Sequence, residues 1–336
     1  MAESTLPFWA NPAVFESNRL GMTASLTRYP DRESALSRTE STRYVSLNGL
    51  WKFHYLSSIL DWDERLAGAD LADSDWDEVE VPGVWQLQGY GKPSYRNIGL
   101  PPGIDEKDPP GIDPQKNSVG CYRRSFRIPE DWRGLRVRLH IGAAKSAVRV
   151  WLNGKEIGYS QDSYLPAEFE ISSQLTSGEN QLSLLVYRFC DGSFLEDQDM
   201  WFLNGIFRDV YLYAVPQICV NDCFFRCEFD KDYQDAIFRG EIYLDSSDLK
   251  SSCSSLEIEL RDPLGEIVFT RLLTGDDDEN LQKEISLSEK IQQPQQWSAE
   301  QPFLYTVLLS LLDGNGRILE AVPVRFGFRQ VEIIDC

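Results

Sequence analysis

The sequence predicts an all-β protein made of two successive sandwich-like units. Three observations point there. Short segments of alternating apolar and polar residues recur along nearly the whole chain, turns rich in glycine, proline and asparagine separate them, and a single stretch, residues 60–71, carries a helix-like pattern. At 336 residues the chain is long enough for two domains, each burying its own core. Hydrophobic residues at 42% with 9 Trp, 14 Tyr and 17 Phe exclude a disordered protein.

From residue 44 to about 216 the strands read in order. Residues 47–55 alternate after an Asn-Gly turn, and residues 122–128, 135–141 and 181–188 alternate as well. Residues 148–151 meet 155–159 through Asn153-Gly154, a dipeptide suited to the left-handed conformation that a two-residue hairpin demands. Many short strands at regular spacing mean a sandwich or a barrel. Between Gly91 and Gly120 the prolines at 93, 101, 102, 109, 110 and 114 predict a long irregular loop, and such a loop in a compact domain is functional or disordered. From 217 to 334 residues 224–225, 238–244, 256–260, 266–269, 304–311 and 321–326 contribute to about seven strands, as in an immunoglobulin-like sandwich. Residues 1–43 show few periodic patterns and read as an N-terminal arm.

Composition narrows the function. With 33 basic against 53 acidic residues the formal charge is −20, which repels phosphate backbones and anionic lipid, so nucleic-acid and membrane partners are not expected. A neutral sugar is indifferent to that charge. Seven scattered cysteines, with no basic start and apolar run at the N-terminus, read as a reduced, cytoplasmic protein. Cys219, Cys223 and Cys227 recur every fourth residue in a strand-like segment without the second cluster of a zinc site. Asp276 to Glu279 form an acidic run without EF-hand spacing, read as a solvated loop.

The chemistry concentrates in Asp191-Gly-Ser-Phe-Leu-Glu-Asp-Gln-Asp-Met-Trp201, continuing into Asn204-Gly-Ile-Phe-Arg-Asp-Val210. Glu196, Asp197 and Asp199 can accept hydrogen bonds from hydroxyls. Phe194, Trp201 and Phe207 offer apolar faces of the kind that pack on a pyranose ring. A solvated acidic turn beside buried aromatics is the other reading of the same residues. Asp197 and Asp199 share a face if extended, but adjacent acids in an exposed loop have no means of raising one pKa as a general acid requires. His54 and His140 fall in strands, and no serine or cysteine stands in a nucleophile elbow. No catalytic residue is expected in this chain.

That segment resembles a signature of glycoside hydrolase family 2 β-galactosidases, and further stretches resemble the family in order. They are Arg43-Tyr-Val-Ser-Leu-Asn-Gly-Leu-Trp-Lys-Phe53, Val81-Pro-Gly-Val-Trp-Gln-Leu-Gln-Gly-Tyr-Gly91 with Pro93-Ser-Tyr-Arg-Asn97, Gly120-Cys-Tyr122, Val150-Trp-Leu-Asn-Gly-Lys-Glu-Ile-Gly-Tyr-Ser-Gln-Asp162 and Pro323-Val-Arg-Phe-Gly-Phe-Arg329. The resemblance implies a jelly-roll, galactose-binding-like sandwich over 44–216, an immunoglobulin-like sandwich over 217–334, and an N-terminal arm over 1–43 in which Trp9 and Leu20 dock. It implies substrate-binding roles for Asn97, from the Tyr-x-Asn motif, and for Asp199, from Gln-Asp-Met-Trp. Asp199 would also be one ligand of a sodium ion whose other ligands belong to a catalytic barrel, and magnesium accompanies sodium in the family. Residues 294–305 resemble the tryptophan-proline stretch that closes the second family domain and spaces the sugar-binding sandwich from the barrel. The implied activity is hydrolysis of terminal β-D-galactosyl residues, as in lactose, by an oligomeric enzyme.

Family 2 hydrolysis uses two glutamates on a (β/α)8 barrel of roughly 250 residues. The expectation is therefore a non-catalytic N-terminal part of a β-galactosidase, ending where the barrel would begin. A stand-alone carbohydrate-binding module and an inert truncated fragment are the alternatives.

Overall fold

A computed structural model describes residues 6–333 apart from 98, 100–103, 105–106, 108, 197–198, 247–252 and 275–282. Asp197 and the acidic run Asp276 to Glu279 thus lie outside the described residues. The chain divides into two compact units, residues 1–22 with 44–214 and residues 23–43 with 215–336.

In the first unit, two antiparallel sheets enclose an aromatic core. The larger runs in the order Glu16–Ser17, Lys155–Ser160, Ala147–Leu152, Asn180–Tyr187, Val119–Phe126, Gly49–Leu56 and Asp77–Val81. The smaller runs Ala167–Glu170, Arg136–Ile141, Val210–Val215 and Tyr44–Ser46. Alternation decides the faces. Trp51 and Phe53 point inward from one strand, Leu139 and Ile141 from another, and they meet Trp85, Tyr122 and Phe169, all almost fully buried. The Trp51 indole donates to the Leu47 carbonyl at 2.8 Å, so its one polar atom is satisfied inside the core. Asn153 and Gly154, at φ 52° and 77°, make the expected tight hairpin.

Three local expectations are corrected. The helix-like stretch 60–71 holds no α-helix. It holds two 3-10 turns, Ile59–Asp61 and Glu64–Ala67, capped by Ser58 and Asp63, with Trp62, Leu66 and Leu71 pressed on the sandwich. The proline-rich loop contains a strand, Ser94–Arg96, before its prolines multiply. The one α-helix among the described residues, Arg32–Ser37, lies within the stretch read as an arm, with the Asp31 carboxylate accepting from the Ser34 amide.

That stretch is divided between the units. Glu16 and Ser17 pair with Ser160 and Tyr159, and the Leu20 amide donates to the Glu168 carbonyl, so residues up to 22 extend the first sandwich. Trp9 is half-buried against the cluster that includes Trp151 and Tyr159.

In the second unit, Ile218–Phe229, Ala236–Ser246 and Glu284–Ile291 form one sheet. Ile267–Thr274, Cys253–Arg261, Tyr305–Asp313 and Ile318–Phe326 form the other. Phe238, Ile258, Leu260, Val307, Leu309 and Phe328 fill the space between them. Strand Glu284–Ile291 is not among the sequence-predicted strands: Ile285, Leu287 and Ile291 keep the alternation, but Glu289 interrupts the apolar series. Cys219, Cys223 and Cys227 all lie in the strand Ile218–Phe229.

Both histidines serve packing. His54 stacks on Trp76 at 5.2 Å, and His140 stacks on Tyr211 at 4.2 Å. Nδ1 of His140 also lies 2.7 Å from the Glu168 carboxylate, whose other oxygen accepts from the Tyr213 hydroxyl at 2.8 Å. Burial is the largest single influence and works against the Glu168 charge, but these two hydrogen bonds, with the electrostatic pull of His140 and Arg138, together outweigh it and hold the pKa below the ordinary 4.5. A carboxyl lowered in the fold stabilises it above the unfolded value, and that stabilisation fades as pH falls from about 4.5 through the lowered pKa. Urea unfolding of Glu168→Gln is therefore expected to show a shallower loss of stability across that acid window than the parent. Parallel curves would remove Glu168 from the acid response.

Candidate functional site

The chemistry-bearing segments meet in a two-stranded ribbon. Strand Ser94–Arg96 pairs antiparallel with Met200–Phe202 in the register Ser94 to Phe202, Tyr95 to Trp201 and Arg96 to Met200. Asn97 directly follows the first strand and Asp199 directly precedes the second, so the two residues singled out from motifs far apart in sequence flank the same end of the ribbon.

Side chains alternate across a strand, so Tyr95 and Trp201 share one face of the ribbon, with Asp199 in reach of Tyr95, and Met200 and Phe202 lie on the other. The first face is open. Tyr95 is 51% exposed and Trp201 58%, and Asn97 and Asp199 are exposed with them. Tyr95 and Trp201 stand with ring centroids 5.6 Å apart and planes tilted by 48°. The Tyr95 hydroxyl donates to Oδ1 of Asp199 at 2.6 Å, a charge-assisted bond that fixes the carboxylate and leaves Oδ2 to a ligand. The same bond raises the Tyr95 pKa above its ordinary value, so the phenol stays a donor at neutral pH.

The second face anchors the ribbon. Phe202 is buried, and Sδ of Met200 lies 3.0 Å from the Tyr164 hydroxyl and 3.9 Å from Nζ of Lys145. Lys145, itself buried, donates to the Tyr164 hydroxyl at 2.8 Å and lies over the Phe202 ring at 5.7 Å. Beside it, Asn204 and Gln86 exchange hydrogen bonds of 2.8 and 2.9 Å in the interior. Arg188 lines a cavity of about 10 Å³ with Lys145, Ser146, Ser193, Glu196 and Phe202, room for about one water.

The structure sorts the residues of the Asp191 to Trp201 segment. Glu196 does not face solvent hydroxyls: one oxygen accepts from the Ser163 amide at 2.7 Å and the other from the Ser163 hydroxyl, so it ties the loop down. Phe207 is occupied by an edge contact with Tyr164 at 5.8 Å. Phe194 is half-buried in the 3-10 turn Asp191–Phe194. Of the expected binding groups, Trp201 and Asp199 stand on the open side and Asn97 is exposed at the ribbon's end. Tyr95 joins them, and its signal was its place in the Tyr-x-Asn motif.

Asp199 is a hard oxygen donor of the kind an alkali cation accepts. Among the described residues no three His, Cys, Asp or Glu side chains gather as a metal site. No helix among the described residues is long and apolar enough to cross a membrane.

The described residues thus form two β-sandwich units, the first bearing an exposed ribbon of aromatics and a carboxylate. Residues 44–216 match the profile described as "Glycosyl hydrolases family 2, sugar binding domain", and residues 218–329 match "Glycosyl hydrolases family 2". The chain belongs to glycosyl hydrolase family 2. Among curated relatives, a β-galactosidase of Priestia megaterium is 38% identical over 341 residues and one of Vibrio vulnificus 39% identical over 334. Each alignment covers 97% of this chain, which spans 32% and 31% of those relatives' length. Among solved structures, Bacteroides uniformis β-glucuronidase 2 superposes with a TM-score of 0.69 at 21% identity, over 85% of this chain and 32% of that one. At that identity the likeness is one of fold.

Proposed function

We propose that this chain is the non-catalytic N-terminal part of a β-galactosidase, supplying one wall of the galactose pocket and part of the assembly surface to a catalytic barrel carried elsewhere. The observation that supports the reading is the pairing of Arg96 with Met200, which brings the strand end before Asn97 beside the one after Asp199, with both residues exposed. Among the described residues the open face of the ribbon presents a single carboxylate, with Glu196 committed to Ser163, whereas retaining hydrolysis needs two carboxyls about 5–5.5 Å apart. Its chemistry is recognition: the Asn97 amide both donates and accepts, and Oδ2 of Asp199 accepts from a sugar hydroxyl or ligates a sodium ion shared with the barrel. Sodium polarises and positions the hydroxyl it binds. We assign no residue of this chain to magnesium. The complete enzyme is expected to be a cytoplasmic oligomer.

Complementation tests the reading. The chain is mixed with the barrel-containing remainder of a relative and assayed with a chromogenic β-galactoside. Activity is expected in the mixture and in neither part alone. Asn97→Ala and Asp199→Ala are expected to lower kcat/KM of the mixture by tenfold or more while leaving the melting temperature of the chain unchanged, because both residues are exposed. Unchanged kinetics in both variants would sink the proposal.

A further inference from the structure

The dipeptide Asn-Gly occurs four times in the chain, at residues 48–49, 153–154, 204–205 and 315–316. At such a junction the glycine nitrogen can attack the side-chain carbonyl carbon of the asparagine, because no Cβ stands in its way. The carboxamide must first swing back over its own backbone. That freedom differs sharply among the four.

Three of them are locked. Oδ1 of Asn48 accepts from the Val210 amide at 2.9 Å, and Nδ2 donates to Asp209 at 3.0 Å. Oδ1 of Asn153 accepts from the Gln181 amide at 2.9 Å, and Nδ2 donates to the Gln174 carbonyl at 2.8 Å and to Oδ1 of Asn180 at 2.9 Å. Asn204 is buried, accepts from the Gln86 side chain at 2.8 Å and donates to the Arg188 carbonyl at 2.9 Å. Turning any of these carboxamides toward the following glycine breaks hydrogen bonds at both its oxygen and its nitrogen.

Asn315 stands apart. It lies in the turn between Tyr305–Asp313 and Ile318–Phe326, where residues 314–317 are all exposed. The Asp313 carboxylate accepts from the backbone amides of Asn315 and Arg317, each at 2.9 Å, so the turn is held through its main chain. The Asn315 carboxamide makes no hydrogen bond among the described residues. A glycine follows it and another precedes it, and a Cβ at either Gly314 or Gly316 would meet nothing within 4 Å, so the segment has room to rearrange. What restrains the nucleophile is the bond from the Gly316 amide to the Asp313 carbonyl at 3.0 Å, a surface turn bond that opens when the hairpin tip frays.

We propose that Asn315 is a site of spontaneous covalent modification, converting through a succinimide to aspartate and isoaspartate while the other three junctions persist as amides. The step needs water alone. The Gly316 nitrogen gives its proton to solvent base and bonds to Cγ of Asn315, and the side-chain nitrogen leaves as ammonia. Water then opens the five-membered imide. Opening at Cγ gives an ordinary chain with aspartate at 315, and opening at the main-chain carbonyl routes the backbone through Cβ and frees the α-carboxylate. Either product adds a negative charge to a chain already at −20. The isoaspartyl form also lengthens, by one carbon, a turn whose ends are bonded from the Asp313 amide to the Arg317 carbonyl at 2.9 Å.

Peptide mapping of the folded 336-residue chain after warm incubation at mildly alkaline pH tests the proposal, because each of the four junctions falls in its own tryptic peptide. The peptide of residues 291–317 should gain one mass unit and separate into aspartyl and isoaspartyl forms about tenfold or more faster than the peptides of Asn48, Asn153 and Asn204. In urea the four junctions should convert at similar rates, since they share their reacting residues and the fold alone separates them. Asn315→Gln should remove the fast site, leave the other three unchanged and melt with the parent. Comparable conversion at any of the other three junctions in the folded chain would overturn the proposal. Retention of the Asn315 amide under conditions in which the unfolded chain reacts would do the same. A preference for Asn315 that persists undiminished in urea would overturn the protection assigned to the carboxamide hydrogen bonds.

Discussion

Glu320→Ala is expected to destabilise the second unit by about 3–5 kcal/mol, the cost of stranding one member of a buried ion pair. Arg28 and Glu320 have side chains only 5% and 2% exposed, with 2.8 Å between Nη1 and Oε1. Each is also committed to the backbone. Nη1 of Arg28 donates to the Val220 carbonyl at 2.6 Å, and Oε2 of Glu320 accepts from the Val220 amide at 2.8 Å. Removing the carboxylate leaves a guanidinium charge in the interior and an amide of the sheet without its acceptor. The damage extends along the chain, because Arg28 also holds the Ser41 hydroxyl through its carbonyl at 2.5 Å and neighbours the Tyr29 to Ala321 bridge. Hydrogen exchange should therefore rise in residues 23–43 and in strand Ile318–Phe326, with the strands of the first unit unaffected. Glu320→Gln keeps an acceptor for Val220 and should cost less. A Glu320→Ala protein with parental exchange in those segments would contradict this account.

That ion pair also shows where the sequence stops being legible. The alternating strands were readable because each face of a sandwich imposes a period of two on local residues, as in Ala147–Leu152 and Arg136–Ile141. The stretch 23–43 carries no such period. What orders it is a partner 292 positions away and a six-residue helix too short to show a 3.6-residue repeat. The apolar residues of 60–71 fit a helix by spacing, but Trp62, Leu66 and Leu71 find their partners through two separate turns. At the site, motifs singled out Asn97 and Asp199, yet only the pairing of Arg96 with Met200 brings the two motifs to one end of a ribbon. Glu196 and Phe207 had the right chemistry for a sugar and lost it to Ser163 and Tyr164, a competition that no residue type announces.

Gly205→Ala is expected to cost the first unit about 2–5 kcal/mol, from overpacking and from backbone strain together. Gly205 sits at φ +135°, a conformation that L side chains rarely adopt, and a Cβ there would meet the Gly83 carbonyl oxygen at 2.6 Å and Cα of Val84 at 3.1 Å. Both obstacles are backbone, so neither can swing aside as a side chain could. The close approach has a purpose in the fold: Gly205 pairs with Val84 on one side and Lys145 on the other, joining three short segments into one small sheet. Lys145 in turn underlies Met200 and Phe202, so displacement of this sheet should reach the ribbon that presents Asp199 and Trp201. The variant is thus expected to lower the melting temperature of the first unit and to weaken galactoside binding without touching a sugar-facing side chain. Gly178→Ala serves as the comparison, because a Cβ at that position meets nothing within 4 Å; it should melt with the parent. If Gly205→Ala did so too, the crowding between residues 83, 84 and 205 would not be what holds the ribbon in place.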